Sequence, residues 1–541
     1  MTDNFRRGVQ MQPDPNRHGP NQHEPNRHDL TRRSALHAGA AAVLSSSWIR
    51  TARADETGTL TVALSTNPVT CDPINSSSHD WELISESIFE NLVEFDIDGN
   101  LKPQLAKAMP EISADSLVYT FDLRDDVLFH DGTPMTSEDI KYSLEYAIDP
   151  VNKASRGPIF NRISHVDTDG PHRVHVHLKE PFSAWTAFLT KFMGVYPKGS
   201  REKYGNDYFR VSPKGVGTGP GMFEEWKPND YISLRANPHY WQKGLPHWDR
   251  LVVKIVPEDA TRVAFLLSGQ ADIIGAPPAR EFSRLKTRKG IQGGSVPTLG
   301  GWTVMFQNPT RPPFDDIEFR RCIQHAVDRK TIAEKIYYGL VEPSGIPAPA
   351  SSWWYDKAAD DMTAYDMDLA KQHLAKSRYP NGTEFDMDVS SEPYLLDAKD
   401  AAVFVQAELA KLNIKVNLRM SSSQIVQTHI MGGNYQSGFA NFMSPGEATY
   451  FLMATFTANS FMSKVSGIVD PEVEAALKII FAENDQDKLK PVYAKLMTHF
   501  AETSYFTWVG YFAAANLWRD RVKNFRPSRG LTINVYDVSI A

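Results

Sequence analysis

Beyond residue 54 the apolar residues switch back and forth between two spacings, which limits the chain to folds that interleave strands with helices. Thr59 to Leu64 alternates apolar and polar side chains, as do Tyr119 to Arg124 and Val174 to Leu178. A period of two marks a half-buried strand. Trp81 to Leu92 instead groups Leu83, Ile84, Ile88 and Leu92 on one helical face. Thr136 and Asp139 read as a loose capping box for a helix with Ile140, Leu144 and Ala147 inside. Further helices are expected at Asp366 to Lys376, Ala401 to Leu412, Pro471 to Ile480 and Asp487 to Phe500. Ile414, Val416 and Leu418 follow one of these as a strand, an α-to-β unit. The fold class is therefore α/β.

With 41% hydrophobic and 11% aromatic residues, a chain of 541 residues can fill large cores. That excludes a mostly disordered protein. The length suggests about three or four domain-sized units. A net charge of −7 argues against a nucleic-acid partner, which needs a basic surface for phosphate. Two cysteines cannot make a disulfide framework or a Cys-rich zinc site. Past the N-terminal region no apolar run approaches the roughly 18 residues of a membrane span.

The N-terminus reads as an address. Residues 1–30 are polar and carry a five-residue repeat ending in His18, His23 and His28, read as a leader and not as a metal site. Thr31-Arg32-Arg33-Ser34-Ala35-Leu36 precedes a mildly apolar run, Ala35 to Ile49, and Ala52-Arg53-Ala54 forms a small-x-small cleavage site. This resembles a twin-arginine export signal, although Ala35 stands where the pattern usually has Phe. Residues 1–54 hold eight Arg against three Asp and one Glu, a net +4. The remainder has 50 basic and 61 acidic residues, a net −11. No Cys follows the apolar run, so the expected product starts near Asp55, is not lipid-anchored, and is soluble in the periplasm of a Gram-negative bacterium.

No G-x-S-x-G, H-E-x-x-H, Walker A or C-x-x-C motif occurs, and no carboxylate pair stands out. Neither an enzyme nor a cofactor is expected. His175 and His177 share one strand face; such a pair can ligate a metal, but it is read as a solvated face, so no metal site is expected. Gly215-Val216-Gly217-Thr218-Gly219-Pro220 lacks the spacing of a nucleotide loop and reads as tight backbone.

Several segments, in order, carry a family resemblance. They are Ser87-Ile88-Phe89-Glu90-Asn91-Leu92-Val93, Lys102-Pro103-Gln104-Leu105-Ala106, and Phe121 to Arg124 followed by Phe129-His130-Asp131-Gly132-Thr133-Pro134. Gly217-Thr218-Gly219-Pro220, Asn237-Pro238-His239-Tyr240-Trp241, Pro313-Phe314-Asp315-Asp316, Ala326-Val327-Asp328-Arg329 and Asp366 to Gly382 continue the set. Together they resemble the family 5 extracellular solute-binding proteins, the periplasmic peptide- and nickel-type receptors of ABC importers. The resemblance implies two α/β lobes of the type II periplasmic-binding-protein fold, joined by a hinge crossed near Gly300-Gly301-Trp302 and Val509-Gly510. On that pattern residues 55–298 form the first lobe, with an extra subdomain at about 90–215. Residues 299–510 form the second lobe, and 511–541 return to the first. A ligand sits between the lobes, and closure removes water and completes contacts from both sides.

The resemblance also implies where ligand is met. Ser77, Ser78 and His79 lie in the loop after the first strand, which faces the cleft in the family. Trp302 at a crossing, and Trp353 beside Trp354, are aromatic candidates for the pocket. Gly438 to Gly446 is similar to the peptide receptors' G-W-x-x-D loop, whose Asp pairs with the ligand's α-amine. Here Phe442 or Met443 stands near that Asp, and Glu447 is an alternative acid. A buried ammonium without a counter-charge is costly, so Phe439, Asn441 and Phe442 suit a neutral, partly apolar ligand. The expected function is capture of a peptide or peptide-like solute and delivery to a permease–ATPase complex, by a monomer. Nickel-chelate, oligosaccharide and opine ligands, or a sensor or chaperone role without transport, are the alternatives. Cys71 and Cys322 fall in different lobes; two separate thiols are expected, with a lobe-locking disulfide as the alternative.

Overall fold

The computed structural model describes residues 58–541 apart from 77–81, 191–192, 391–395, 397, 444–447, 459, 461–462, 464–465, 484 and 531. Ser77, Ser78, His79 and Glu447 thus lie outside the described residues, as do residues 1–57. The expected elements correspond to observed ones. Thr59–Leu64 is a strand, and Ser137–Ile148 a helix capped by Thr136, whose N–H donates to the Asp139 carboxylate at 2.7 Å. Helices occupy Met367–Lys376, Ala398–Ala410, Pro471–Ala482 and Gln486–Thr503.

The helix expected over Trp81 to Leu92 is shorter, Glu82–Ile88. It stops where the Gly217 to Pro220 loop crosses its end. The Gly219 N–H donates to the Ile88 carbonyl at 3.0 Å. A Cβ on Gly217 would sit 2.0 Å from that same carbonyl oxygen, so only glycine permits the crossing.

An 11-stranded sheet runs through the molecule. Its first-lobe part orders Gly221–Lys227, Tyr231–Ala236, Arg250–Ile255, Thr59–Leu64 and Ile273–Gly275. Its second-lobe part orders Lys415–Ser421, Glu384–Ser390 and Ser437–Met443. Two long strands, Ile291–Gln307 and Phe506–Arg519, join the two parts and pair antiparallel with each other. The pairing breaks between Pro297 and Trp302 and again between Thr303 and Val304. A bulge of this kind bends a strand locally and increases its twist. Thr298 holds the bend: its hydroxyl donates to the Phe512 carbonyl at 2.7 Å and accepts the Gly301 N–H at 3.1 Å.

The first lobe carries a separate four-stranded sheet, ordered Glu111–Ile112, Val118–Asp122, Arg173–Leu178 and Ile163–Thr168. One face packs Tyr119, Phe121, Val166, Val174 and Val176 into a core with Trp185 and the Ser137–Ile148 helix. A buried ion pair ties this subdomain to the rest of the lobe. Arg201 donates twice to Asp72, at 2.9 Å in both bonds, and Tyr196 adds a third donor at 2.6 Å. The guanidinium also lies over the rings of Tyr146, Tyr196 and Phe209. In the C-terminal segment Arg521 donates to Asp272 at 2.6 and 2.9 Å.

Cys71 and Cys322 are both free, buried thiols in different cores. No bridge links them, and burial pushes the Cys322 thiol up to about 12.

Candidate functional site

The segments with the strongest sequence signature converge on one another and not on the cleft. Glu90 accepts from the Tyr240 hydroxyl at 2.8 Å and the Trp241 indole at 3.0 Å. The His130 ring meets the Gly219 carbonyl at 2.9 Å, and the Asn237 amide donates to that same carbonyl at 3.0 Å. These groups knot three distant stretches of the first lobe together. Burial raises the Glu90 carboxyl to about 8, against the opposing pull of its donors. Burial likewise holds the His130 imidazole near 4, so it is neutral.

Between the lobes lies a cavity of about 510 Å³. The first lobe supplies the turn of the hairpin Val93–Phe95 and Leu101–Pro103, including Asp98 and Asn100, together with Ser183, Ala187 and the C-terminal Arg529. The second lobe supplies Ser351, Ser352, Trp353, Glu483, Gln486 and Tyr493. Trp353 stands edge-on to Tyr493 at 5.2 Å and to Trp354 at 5.6 Å. Trp354 is the more buried of the pair and belongs to the second-lobe core, whereas Trp353 is half-buried against it. Arg529 donates through Nε to the Pro297 carbonyl at 3.2 Å, and no carboxylate pairs with it among the described residues. The cavity thus offers an aromatic wall and charges of both signs, which suits an amphipathic solute with ionised groups.

A second, small pocket of about 60 Å³ lies at the crossing strands. Leu64 and Leu83 line it from the first lobe, Leu340 and Leu396 from the second, with Phe512 to Asn516 between them.

The remaining candidates fall elsewhere. Trp302 is 2% exposed and meets Trp508 and Tyr511 edge-on, at 5.9 and 6.3 Å, in the second-lobe core. Phe439 is 0% exposed and packs in the other large core, with Leu396 and Phe512. A hydrophobic core packs on each face of these strands, one around Trp302 and the other around Phe439, so neither ring reaches open cleft. Phe442 is half-buried and rests edge-on against Phe306 at 6.0 Å. Asn441 acts one step behind the hinge pocket. It accepts from the Thr303 hydroxyl at 2.8 Å and donates to the Leu396 carbonyl at 2.7 Å. Of the eight candidates only Trp353 lines the large cavity among the described residues. Arg529, Tyr493 and Ser183 carry no local pattern that marks them.

A bent two-strand crossing with a polar and aromatic cavity between the lobes defines a two-lobed solute-binding protein. Known proteins agree. Residues 100–463 match the model of the Bacterial extracellular solute-binding proteins, family 5 Middle, and the chain belongs to that family. The glutathione-binding protein GsiB of Escherichia coli O6:K15:H31 is 28% identical over 408 residues, 74% of this chain and 78% of that protein. The periplasmic binding protein AgaA of A. tumefacien R10, solved with agropinic acid, superposes with a TM-score of 0.77 at 27% identity. That match covers 90% of this chain and 99% of AgaA. A dipeptide binding protein from Pseudoalteromonas sp. SM9913, solved with Met-Leu, has the same fold at a TM-score of 0.80 and 21% identity, over 89% and 100% of the two chains. Among the described residues no helix is long and apolar enough to cross a membrane.

Proposed function

We propose that the protein is the periplasmic receptor of an ABC importer, and that its ligand is a small peptide-like acid held in the cavity between Trp353 and Arg529. The observation that carries this reading is the cavity itself, with an arginine on one lobe facing an aromatic wall on the other. Arginine recognises a carboxylate through paired donors in a fixed plane. Trp353 and Tyr493 supply the apolar surface. The relatives above a quarter identity include one named for glutathione and one solved with agropinic acid, both carboxylic acids. A ligand that touches both walls favours the closed state, which is the state a permease would accept.

Under this proposal residues 299–510 move as one lobe, 55–298 with 511–541 as the other, and 90–215 as a subdomain of the latter. Residues 1–54 serve as a twin-arginine-type export leader. The protein is a monomer that binds without turnover. Ser77, Ser78 and His79 complete the site from the first lobe. Asn441 and Phe442 set the position of the hinge wall.

Native mass spectrometry of the mature protein with its co-purified ligand tests the reading, followed by calorimetry with glutathione as a first probe. The expected ligand carries a carboxylate, and Arg529→Ala and Trp353→Ala each weaken its binding. A neutral sugar in the cleft, or affinity unchanged in both variants, would overturn the assignment.

A further inference from the structure

The outer face of the subdomain sheet brings together side chains that lie far from the cleft ligand's chemistry. Ile163–Thr168 and Arg173–Leu178 pair antiparallel, with His165 directly opposite His177 and Asp167 directly opposite His175. Successive strand residues alternate faces. All four side chains therefore project from the face opposite Val166, Val174 and Val176, which are buried.

Three of them converge. The His165 and His177 rings stack at 4.0 Å with 9° between their planes. Their Nε2 atoms lie 3.4 and 3.3 Å from the same oxygen, Oδ2 of Asp167. All three ligand atoms fall within 4.8 Å of one another. In a tetrahedral site with metal–ligand bonds of about 2.0–2.1 Å, neighbouring ligand atoms stand roughly 3.3–3.4 Å apart. The two imidazole–carboxylate distances match that edge, and because a stacked pair cannot hold one ion in both ring planes, one ring turns out of the stack when the ion binds.

The His165 Nδ1 meets the Ser164 hydroxyl at 3.2 Å; when Nδ1 donates to that oxygen, Nε2 is left with the lone pair that a metal needs. Next to the trio, His175 is held by Thr120 through Nδ1 at 2.9 Å. Without an ion, one oxygen of Asp167 serves both imidazoles, at 3.4 and 3.3 Å. A single divalent cation satisfies all three groups at once.

We infer that His165, Asp167 and His177 form a surface site for a borderline divalent transition-metal ion such as Zn²⁺, with its remaining positions open to water. Two imidazoles and one carboxylate are a ligand set suited to such ions and poorly suited to Mg²⁺ or Ca²⁺. The ion would cross-link the two outer strands of the subdomain sheet. This inference is independent of what the cleft binds.

Equilibrium dialysis of the full chain with Zn²⁺, followed by metal analysis, tests it. The His18, His23 and His28 repeat is present in every variant, so its contribution cancels in the comparison. The full chain is expected to retain one more Zn²⁺ per chain than the H165A/H177A double variant, and Asp167→Asn to weaken that ion about tenfold or more. Zn²⁺ should raise the melting temperature of the parent and leave that of the double variant unmoved. In EDTA the two should melt alike, because the replaced side chains are solvent-facing; His165→Gln is a second variant should the alanine protein melt early. Equal Zn²⁺ retention in parent and variants, or a loss caused by His175→Ala and not by His177→Ala, overturns the assignment.

Discussion

Ser183 of the first lobe donates its backbone N–H to the Phe481 carbonyl of the second lobe at 2.9 Å, and its hydroxyl to the neighbouring Ile480 carbonyl at 2.8 Å. Both acceptors lie in the last turn of Pro471–Ala482, where helical carbonyls have no partner of their own. Phe182 meets Phe481 edge-on at 4.8 Å, and the Arg162 guanidinium lies over both rings. One lobe thus caps a helix of the other at a point away from the crossing strands. Ser183 and Ile480 also line the large cavity, so this contact forms part of its wall.

Removing that contact is expected to shift the lobes toward the open arrangement. Phe481→Ala deletes an aromatic pair worth about 0.5–1.5 kcal/mol beyond its buried area. Ligand affinity should fall about 2- to 10-fold, and the radius of gyration of the ligand-free protein should rise in solution scattering. Unchanged scattering and affinity would show that the contact does not bear on closure.

Arg201 is expected to be a stability determinant and not a ligand group. Its side chain and that of Asp72 are almost fully buried. Arg201→Ala leaves a buried carboxylate without its counter-charge, a loss of about 3–5 kcal/mol. Arg201→Lys should recover only part of it, because one ammonium cannot reproduce two parallel bonds plus stacking on three rings. Urea unfolding measures both. A change within about 0.5 kcal/mol in the alanine variant would contradict the reading.

How much of this was legible in the sequence depends on register. Strand and helix periods located most elements, because each needs only neighbours along the chain. Glu90, His130 and Asn237 stood out as family signature, and the structure uses them to knot the first lobe together. Trp302 and Phe439, expected at the pocket, are buried between packed cores. With both sheet faces covered, alternation no longer separates core from cleft. The juxtaposition of His165, Asp167 and His177 is not legible for a related reason. His175 and His177 are visible as a pair, but which residues of another strand stand opposite is not written locally. Arg529 lines the cavity from the C-terminal segment, far along the chain from the other lining residues.

Glu90 predicts a pH dependence with a definite sign. Its carboxyl is raised from the ordinary range to about 8 by burial. The folded state therefore holds this proton more tightly than the unfolded chain does. The contribution is fully present below pH 4.5, the ordinary value, and is lost as pH rises toward about 8. Over that window Glu90 subtracts at most about 1.4 kcal/mol of stability per pH unit. Glu90→Gln mimics the protonated acid and should flatten the fall in unfolding free energy between pH 5 and pH 8. An identical pH profile in the variant would show that other groups control it.

The crossing itself predicts the last effect. A Cβ on Gly301 would stand 2.4 Å from the Phe512 ring and 2.7 Å from the Thr298 hydroxyl. Phe512 lines the hinge pocket, and Thr298 fixes the bend through its bond to the Phe512 carbonyl. Gly301→Ala must therefore displace the ring or break the bond, either of which alters the angle between the two halves of the sheet. Overpacking of this kind costs about 1–3 kcal/mol, which urea unfolding would register. Because the displaced groups belong to both crossing strands, the variant should also bind ligand more weakly in calorimetry, without any change to a cavity residue. Thr298→Val, which removes the bond but adds little bulk, separates the two causes. If it reproduces the binding loss, the bent crossing and not the clash positions the lobes; if affinity survives in both variants, the crossing is not the element that sets closure.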